Sequence, residues 1–453
     1  MKTILAKDTL NINSQDYSLL TDLYQLTMIA CYAGEGIATK RASFELFTRH
    51  LPQDFGYLIA MGLTQVLEYL EAFSFNSEQI QLLKDTGIFA HAPKAFWQLL
   101  SGGFTGDVWA VPEGTAVFAN EPILRIEAQL WQAQLVETYL LNTINYQTIV
   151  ATKAARIRDV AGKQATILEF GTRRAFSPQG SLWAARAALA AGLDGTSNVL
   201  AALKLGEKPR GTMAHALVMA IEAIAGSEDE AFKAFQNYFP DATLLIDTFD
   251  TVAAAQRLQA QRDAGEISVR GVRIDSGNLA ELSQKVRHYL PETKIFASGD
   301  LDEWEISKLQ QQGASLDGYG IGTKLVTGVP VNGVYKLVEI DTIATMKQSS
   351  HKLTYPGCKQ IFRKVTDGHI SSDRLGLKDE IPDDEQGLLE IVMQSGKRLQ
   401  SSESLDTIRQ RTASSVASLP AKVRQISQPL AFEVDISDAL ESLQYEVAGR
   451  NNK

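Results

Sequence analysis

His215 is one of six histidines in the chain, and it follows small residues in the run 211–217, GTMAHAL. An apolar helical pattern starts here, so the histidine is predicted to lie at the N-terminus of a helix. Unpaired backbone N–H groups and the positive end of the helix dipole favour an anion at that position. An imidazole at that position could also act as a nucleophile. His215 could therefore carry a phosphoryl group. The alternative is a core histidine whose ring nitrogens bond to the backbone.

Two further clusters carry charged side chains directly after apolar segments. The first is EFGTRRA at 169–175, with Arg173 and Arg174, and the second is RIDSGN at 273–278. Paired arginines beside Gly and Thr can clamp phosphates through bidentate hydrogen bonds. Strand alternation places Arg273 and Asp275 on one face, where the arginine can hold a carboxylate. The aspartate can bind ribose hydroxyls or Mg²⁺. A surface ion-pair loop and a buried Arg–Asp pair are the structural alternatives.

Two more clusters offer hydroxyl and backbone donors. Ser298-Gly299 precedes a predicted helix, and GYGIGTK at 318–324 places Gly322 and Thr323 in a flexible turn. Successive backbone N–H groups in such turns form anion-binding concavities. Tight turns also use paired glycines, so neither cluster is specific alone. Their shared position after predicted strands makes them candidates for phosphate binding.

The elements that must position these clusters are short apolar strands alternating with amphipathic helices. The predicted strands cover 165–170, 243–247, 269–275, 294–298 and 318–321. Such alternation indicates βα units with parallel strands, and therefore the α/β class. We predict an irregular TIM-like α/β barrel over 131–334, with a doubly wound sheet as the alternative. Because the carboxyl ends of barrel strands line one mouth, the clusters are expected to meet there.

The two terminal segments of the chain show a different order of predicted helices and strands. Residues 1–130 mix helices with short strands and are predicted to form an α+β domain. Residues 335–453 begin with strands, one of them predicted over 347–351, and we expect this C-terminal segment to pack with the N-terminal domain. The fold class is therefore an α/β barrel plus an α+β domain formed by the two terminal segments.

Composition excludes several classes of protein. The net charge of −9 argues against nucleic-acid binding, which needs a basic surface. Two cysteines far apart in sequence give no metal-binding or disulfide pattern. The first residues lack the apolar core of a secretory signal, and no apolar run is long enough to span a bilayer. We expect a cytoplasmic protein without membrane or nucleic-acid partners.

Taken together and in order, the motifs resemble those of the nicotinate phosphoribosyltransferases. The matching segments are 21–28, FELFTRHLP at 44–52, EFGTRRA, GTMAH at 211–215, GVRIDSG at 271–277, Ser298–Asp300, GIGT at 320–323 and KLTYPGCKQIFR at 352–363. The resemblance implies a type II phosphoribosyltransferase fold. It implies that nicotinate and 5-phosphoribosyl 1-pyrophosphate (PRPP) are converted to nicotinate mononucleotide and pyrophosphate in NAD salvage, with Mg²⁺ and with ATP as co-substrate.

The resemblance also implies roles for single residues. In the family the histidine of the GT-x-x-H motif is phosphorylated by ATP, which here is His215, and Asp275 joins it as a catalytic residue. The nicotinate-binding residues would be Tyr24, Thr212 and Arg273. The residues holding PRPP and its phosphates would be Arg173, Arg174, Ser298, Gly299, Gly322 and Thr323. The family is typically a homodimer in which Tyr24 reaches the partner's barrel mouth. The metal ligands stay open.

Other functions remain to be weighed against this one. Asn278 stands where many nicotinate enzymes carry Asp and where the nicotinamide relatives resemble this chain. Transfer to nicotinamide or another pyridine base is therefore an alternative. A non-catalytic phosphosugar-binding sensor is another, although a sensor has no need of a phosphate-accepting histidine.

Overall fold

The computed structural model describes residues 10, 12–348, 354–381 and 384–451. The chain divides into two compact units. The first comprises Met1–Ile149, Pro330–Ser404 and Ala417–Lys453, and the second comprises Val150–Val329 and Leu405–Val416.

Helices and strands alternate irregularly in the N-terminal part of the chain. These elements are α1 (Leu23–Gly34), β1 (Arg41–Thr48), β2 (Leu58–Ile59), α2 (Leu63–Ala72), α3 (Ser77–Asp85), α4 (Lys94–Leu100), β3 (Asp107–Ala110), β4 (Ala116–Val117), β5 (Pro122–Gln129), α5 (Leu130–Leu135) and α6 (Glu137–Ala161).

Each strand of the second unit is then followed by one or more helices. The elements are β6 (Thr166–Glu169), α7 (Pro178–Ala190), β7 (Gly195–Thr196), α8 (Val199–Lys204), α9 (His215–Ala225), α10 (Glu228–Tyr238), β8 (Leu244–Leu245), α11 (Thr251–Asp263), β9 (Gly271–Ile274), α12 (Leu279–Tyr289), β10 (Lys294–Ala297), α13 (Glu303–Gln311), β11 (Gly318–Ile321) and α14 (Thr323–Val326).

Strands dominate the first part of the remaining chain, and helices its end. The elements are β12 (Gly333–Ile340), β13 (Ile343–Ala344), β14 (Lys359–Thr366), β15 (His369–Leu377), β16 (Gln386–Gly387), β17 (Glu390–Gln394), β18 (Lys397–Arg398), α15 (Leu405–Ser418), α16 (Ala421–Arg424), β19 (Val434–Ile436) and α17 (Asp438–Asn451). Of the strand predicted over 347–351, residues 347 and 348 are not in a strand and the others lie outside the described residues.

The second unit is built on one parallel sheet with the strand order β7-β6-β11-β10-β9-β8. All of its pairings are parallel. β6 and β11, the first and last strands of this sheet along the chain, pair with each other. The strand order therefore follows a circle, as it does in a barrel. The described pairings leave this circle open between β7 and β8. The predicted α/β class with a parallel sheet is confirmed, and closure of the barrel stays a prediction.

Local sequence explains why these strands and helices form where they do. The parallel strands are largely buried, as expected when helices cover both faces of a sheet. Most helices of the second unit follow an N-cap residue whose side chain accepts a backbone hydrogen bond, including Ser177, Asn198, Asp250, Asn278 and Asp302. These N-caps fix the residue at which each helix begins after the loop from the preceding strand.

The first unit contains antiparallel sheets that join the two ends of the chain. One sheet has the order β13-β12-β1-β5-β3-β17-β18, and another has the order β16-β14-β15-β19. β12 pairs with β1 along nearly its whole length, so the C-terminal segment completes the N-terminal sheet. The predicted α+β domain formed by both terminal segments is confirmed by this pairing.

The units differ from the predicted ranges 1–130, 131–334 and 335–453 in two places. The first division lies inside α6 and not before it, because this helix continues without a break. Most of α15 belongs to the second unit, since Arg409 and Thr412 donate hydrogen bonds to the carbonyl oxygens of Leu189 and Ala190 at the end of α7. Nothing in the local pattern of α15 shows which unit it joins.

A buried ion pair ties α6 to α13 within the second unit. Nε of Arg156 lies 2.8 Å from Oε1 of Glu303, and both side chains are almost completely buried. Replacing Glu303 by alanine is expected to lower the free energy of unfolding by about 3–5 kcal/mol, because the buried guanidinium loses this carboxylate. Urea denaturation measures the loss. The control is Glu305→Ala, which removes an exposed contact with Lys308 and should cost less than about 1 kcal/mol. Equal losses in the two variants would contradict the assignment.

Within the described residues, none of the helices combines the length and the apolar character needed to cross a membrane.

Candidate active site

The parallel sheet of the second unit brings the predicted clusters to one edge. Glu169 ends β6, Asp275 follows β9, Ser298 follows β10 and Gly322 follows β11. Because the strands are parallel, their carboxyl ends lie at the same edge. The hydrogen bonds among Arg273, Asp275 and Ser298 show that residues predicted from different strands do meet there.

Arg273 is the centre of a hydrogen-bond network at this edge. Its Nε donates to Oγ1 of Thr212 at 3.0 Å, and its Nη2 donates to the carbonyl oxygen of Met213 at 2.8 Å. Nη1 donates to Oδ1 of Asp275 and to Oγ of Ser298, both at 2.9 Å. Burial lowers the pKa of the Arg273 guanidinium, while the charge of Asp275 opposes that shift. The arginine thus links three loops and is largely occupied by the protein itself.

The turn after Ser298 requires glycine. Gly299 has a φ of +98°, and an added Cβ would lie 2.2 Å from the carbonyl oxygen of Asp275. The Ser298 side chain is buried, and its hydroxyl donates to Oδ1 of Asp275. The predicted phosphate-binding hydroxyl of Ser298 is therefore engaged with Asp275 and Arg273. The turn holds the Asp275 loop in place.

His215 is the first residue of α9, as predicted, and its ring has two polar neighbours. Nδ1 lies 3.0 Å from Oγ1 of Thr248, and Nε2 lies 3.9 Å from Oδ1 of Asp247. The side chain is 38% exposed, so a substrate can reach it. The N-cap position of α9, Ala214, provides no side-chain cap. The N–H of Leu217 donates to the carbonyl oxygen of Ala214, and the N–H groups of His215 and Ala216 can face an anion.

Asp247 is a site residue that the sequence reasoning missed. Its Oδ2 accepts hydrogen bonds from the backbone N–H of Asp275 at 2.8 Å and from the hydroxyl of Ser276 at 2.7 Å. Its Oδ1 is buried and has no hydrogen-bond partner among the described residues. A buried carboxylate oxygen beside an imidazole can accept the ring N–H, and so fix which nitrogen carries the lone pair. The only signal in the sequence was an aspartate after a predicted strand.

The arginine pair lies in the turn that follows β6. Arg173 and Arg174 are exposed, and within the described part of the chain their guanidinium groups form no ion pair. Buried Glu169 holds the turn, because its carboxylate accepts from the N–H of Gly171 and from the hydroxyl of Thr196. Burial raises the pKa of Glu169. The positive charge of Arg173 reaches Arg273, whose pKa it helps to lower. Both arginines are free to bind an anion.

The GIGT turn lies at the end of β11. Gly322 is the N-cap of α14 and Thr323 is its first residue, and both are half-buried. Lys153 donates to the carbonyl oxygen of Lys324 at 2.9 Å and also to that of Thr327, which fixes the far end of the turn. The exposed side of the turn can present backbone N–H groups and the Thr323 hydroxyl to a phosphate.

A cavity of about 230 Å³ opens among these strands. Its apolar walls include Leu168, Phe170 and Phe296, and its polar walls include Thr212, Arg210 and Arg273. Gly320 is necessary for this shape, because an added Cβ would lie 2.5 Å from the Phe170 ring. The flat aromatic wall beside charged groups suits a small planar ligand with a polar substituent. The sequence reasoning did not identify Phe170 or Arg210 as site residues, although Phe170 is part of the quoted motif EFGTRRA.

Two residues singled out in the sequence have local contacts. Tyr24 belongs to the first unit, where its half-exposed ring has its hydroxyl 3.4 Å from Glu137. Its role in binding a base stays a prediction. Asn278 caps α12, since its side-chain oxygen accepts from the N–H of Glu281. Aspartate performs the same capping role, so this position has a structural explanation that does not involve the choice of base.

Three family models match the chain in order. They are the N-terminal domain of nicotinate phosphoribosyltransferase at residues 19–145, the nicotinate phosphoribosyltransferase family at 165–352 and the nicotinate phosphoribosyltransferase C-terminal domain at 381–444.

Relatives and solved structures agree with these matches. Nicotinate phosphoribosyltransferase pncB2 of Mycobacterium tuberculosis is 39% identical, covering 93% of this chain and 92% of the relative. Nicotinate phosphoribosyltransferase of Bacillus subtilis is 38% identical, covering 93% of each chain. The crystal structure of human nicotinic acid phosphoribosyltransferase superposes with a TM-score of 0.81 at 28% identity, covering 94% of this chain and 99% of the human one.

Proposed function

The chain belongs to the nicotinate phosphoribosyltransferase family, and we propose that it joins nicotinate to PRPP in NAD salvage, with ATP hydrolysis coupled through a phosphohistidine at His215. The observation that carries the coupled mechanism is the position of His215. It lies at an uncapped helix N-terminus, beside the buried carboxylate of Asp247, and in the same short segment as the cavity-lining Thr212.

The cavity has the chemistry needed for the pyridine ring. Phe170 and Phe296 offer aromatic surface for the ring of nicotinate, and Thr212 offers a hydroxyl. The proposed homodimer would add Tyr24 of the partner subunit as a second aromatic face, which its exposure on α1 permits. The pyridine nitrogen would then be held in line with the anomeric carbon of PRPP, so that binding supplies the orientation of the displacement.

The transfer step forms one bond and breaks another. The pyridine nitrogen bonds to the anomeric carbon of ribose, and the bond from that carbon to the pyrophosphate oxygen breaks. Negative charge develops on the leaving pyrophosphate, which Arg173 and Arg174 can stabilise because their guanidinium groups are unpaired within the described chain. Gly322 and Thr323 would hold the 5-phosphate at the end of β11, and Asp275 would bind the ribose hydroxyls.

The carboxylates at the site fit a Mg²⁺ ion that is bound mainly by substrate phosphates. The described residues contain no group of three or more metal-binding side chains. Mg²⁺ commonly takes one or two carboxylates and completes its shell with water and phosphate oxygens. Asp247 and Asp275 could provide these, since the backbone of one bonds to the side chain of the other. When bound, Mg²⁺ would supply positive charge to the leaving pyrophosphate.

ATP coupling would use the imidazole of His215 as a phosphate acceptor. Oδ1 of Asp247, 3.9 Å from Nε2 of His215, would have to move closer to accept the ring N–H. The other ring nitrogen, Nδ1, would leave the Thr248 hydroxyl and attack the γ-phosphorus of ATP as the bond to ADP breaks. The resulting phosphoryl group lies against the free N–H groups at the start of α9. Hydrolysis of the phosphohistidine returns the free imidazole and can drive release of the product.

A product assay tests this proposal. Purified protein is given PRPP, Mg²⁺ and ATP together with either nicotinate or nicotinamide. Nicotinate mononucleotide formed in step with ADP is the expected result. Product from nicotinamide alone would show that the base has been misassigned. Phosphosugar binding without product or phosphate incorporation would favour the non-catalytic sensor. The proposal also includes a cytoplasmic location and a homodimer, and sedimentation velocity of the full chain checks the homodimer.

A further inference from the structure

Lys153 lies in a buried stretch of α6, although lysine is rarely buried without a partner. The other residues of the stretch 150–157 are buried, and Lys153 is half-buried. Its Nζ donates to the carbonyl oxygen of Lys324 at 2.9 Å and to that of Thr327. These charge-assisted hydrogen bonds connect α6 to the backbone at the end of α14, just beyond the GIGT turn.

The GIGT turn is held at both of its ends. At its start, β11 pairs with β6, and the N–H of Phe170 donates to the carbonyl oxygen of Ile321 at 2.7 Å. At its end, the N–H and the hydroxyl of Thr327 both donate to the carbonyl oxygen of Thr323. Lys153 therefore binds a short loop of backbone that closes on Thr323. A movement of the ammonium would move the residue that is proposed to hold the 5-phosphate.

Gly328 leaves the space that the Lys153 ammonium occupies. Its φ is +122°, and an added Cβ would lie 2.6 Å from Nζ of Lys153. A residue with a side chain at this position would have to displace the ammonium. The backbone beyond α14 is thus shaped to admit the lysine from α6.

The charge of Lys153 is balanced within the protein. Burial lowers the pKa of its ammonium, and the negative charges of Glu303 and Asp302 oppose this shift. The carboxylate of Asp302 also lies 3.5 Å from Nζ of Lys324. A lysine whose donors meet carbonyl oxygens and whose charge faces two carboxylates is suited to hold backbone in place. It is poorly placed to bind a phosphate directly.

We propose that Lys153 is a positioning residue for PRPP, which acts through α14 to hold the GIGT turn in the conformation that binds the 5-phosphate. The proposal rests on the function proposed above. Backbone N–H groups bind a phosphate well only when several of them point to one place, so a displaced turn weakens the site without losing any ligand group. The base and the pyrophosphate are assigned to the cavity and to the arginine pair. The effect of Lys153 should therefore be confined to the 5-phosphate.

The test compares Lys153→Met with Lys153→Arg and with Lys163→Met, a matched charge removal at an exposed lysine just beyond α6. For Lys153→Met we expect the KM for PRPP to rise roughly 10- to 100-fold, the cost of a displacement of up to about 1 Å, with kcat and the KM for nicotinate nearly unchanged. Lys153→Arg keeps the charge and N–H donors, so part of the affinity for PRPP should return. Lys163→Met should match the wild type.

Calorimetric titration with ribose 5-phosphate measures the same site without turnover, because this probe carries the 5-phosphate and no pyrophosphate. Its Kd should rise in Lys153→Met by a factor similar to that for the KM of PRPP. If the wild type binds ribose 5-phosphate but fails the product assay, the proposed function is rejected, and the titration alone decides the role of Lys153. Absence of ribose 5-phosphate binding by the wild type would overturn the proposal.

Gly328→Ala displaces the ammonium from the other side. It should raise the KM for PRPP in the wild-type background and add little in Lys153→Met, which has no ammonium to displace. The backbone strain at a φ of +122° is the same in both backgrounds, so the comparison removes it. Equal rises in the two backgrounds would overturn the proposal. An equal rise in the KM for nicotinate, or an unchanged affinity for ribose 5-phosphate in Lys153→Met, would do so too.

Discussion

Replacing His215 by alanine is expected to abolish transfer of label from γ-labelled ATP to the protein. The KM for PRPP should rise roughly 5- to 150-fold, the range of typical coupling between two sites, while slow uncoupled product formation survives. The reason is that the variant keeps the cavity, Arg273 and the arginine pair but loses the phosphate acceptor at the start of α9. Acid-labile, base-stable labelling and the ratio of ADP to product measure the effect.

The control is His288→Ala, since His288 is an exposed histidine on α12 in the same unit. It should retain full labelling and an unchanged KM for PRPP. If His215→Ala still hydrolysed ATP in step with product, the phosphate acceptor would have to be another residue. If both variants lost labelling equally, the loss would report a general disturbance and His215 would have no special role.

Replacing Gly299 by alanine is expected to lower kcat/KM by about 100-fold, the cost of misplacing a site by roughly 1 Å. The added methyl group would meet the carbonyl oxygen of Asp275 at 2.2 Å, and the φ of +98° disfavours any side chain. The turn must therefore move, and Ser298 moves with it. Asp275 and Arg273 both lose their present hydrogen-bond geometry as a result.

Gly265→Ala is the matched control for this substitution. Gly265 also has a positive φ, of +73°, but an added Cβ would meet nothing within 4 Å. It should lose about 1 kcal/mol of stability through backbone strain and keep its activity. Steady-state kinetics and thermal unfolding of both variants distinguish the two effects. Comparable activity in the two variants would show that the packing of Gly299 against Asp275 does not matter for catalysis.

The sequence was most informative where local pattern controls structure. The alternation of apolar strands and helices predicted the parallel sheet, because strands and helices differ in the spacing of their apolar residues. The prediction that the clusters after β9 and β10 meet is confirmed by the bonds of Arg273 to Asp275 and Ser298. His215 begins α9, as its position behind small residues indicated.

What could not be predicted depends on contacts between distant segments. β7 has only two residues, too few to show a strand pattern, yet it sets the position of Arg210. Asp247 gains its place in the site through the backbone of Asp275, which no local pattern shows. The occupied donors of Arg273 are likewise a tertiary feature. A motif can identify an arginine, but only the three-dimensional contacts show whether its hydrogen bonds are available.

The segment from Arg210 to His215 connects the cavity to the histidine, so that binding at one can affect the other. Arg210 is tied to Thr196 at one end, and Met213 is tied to Arg273 near the other. A ligand that binds at either end therefore contacts the same short stretch of fixed backbone. If His215 is phosphorylated as proposed, thermodynamic reciprocity requires that the base alters the stability of the phosphohistidine by the factor by which phosphorylation alters affinity for the base. These six residues would then connect the proposed energy supply at His215 to the choice of substrate in the cavity.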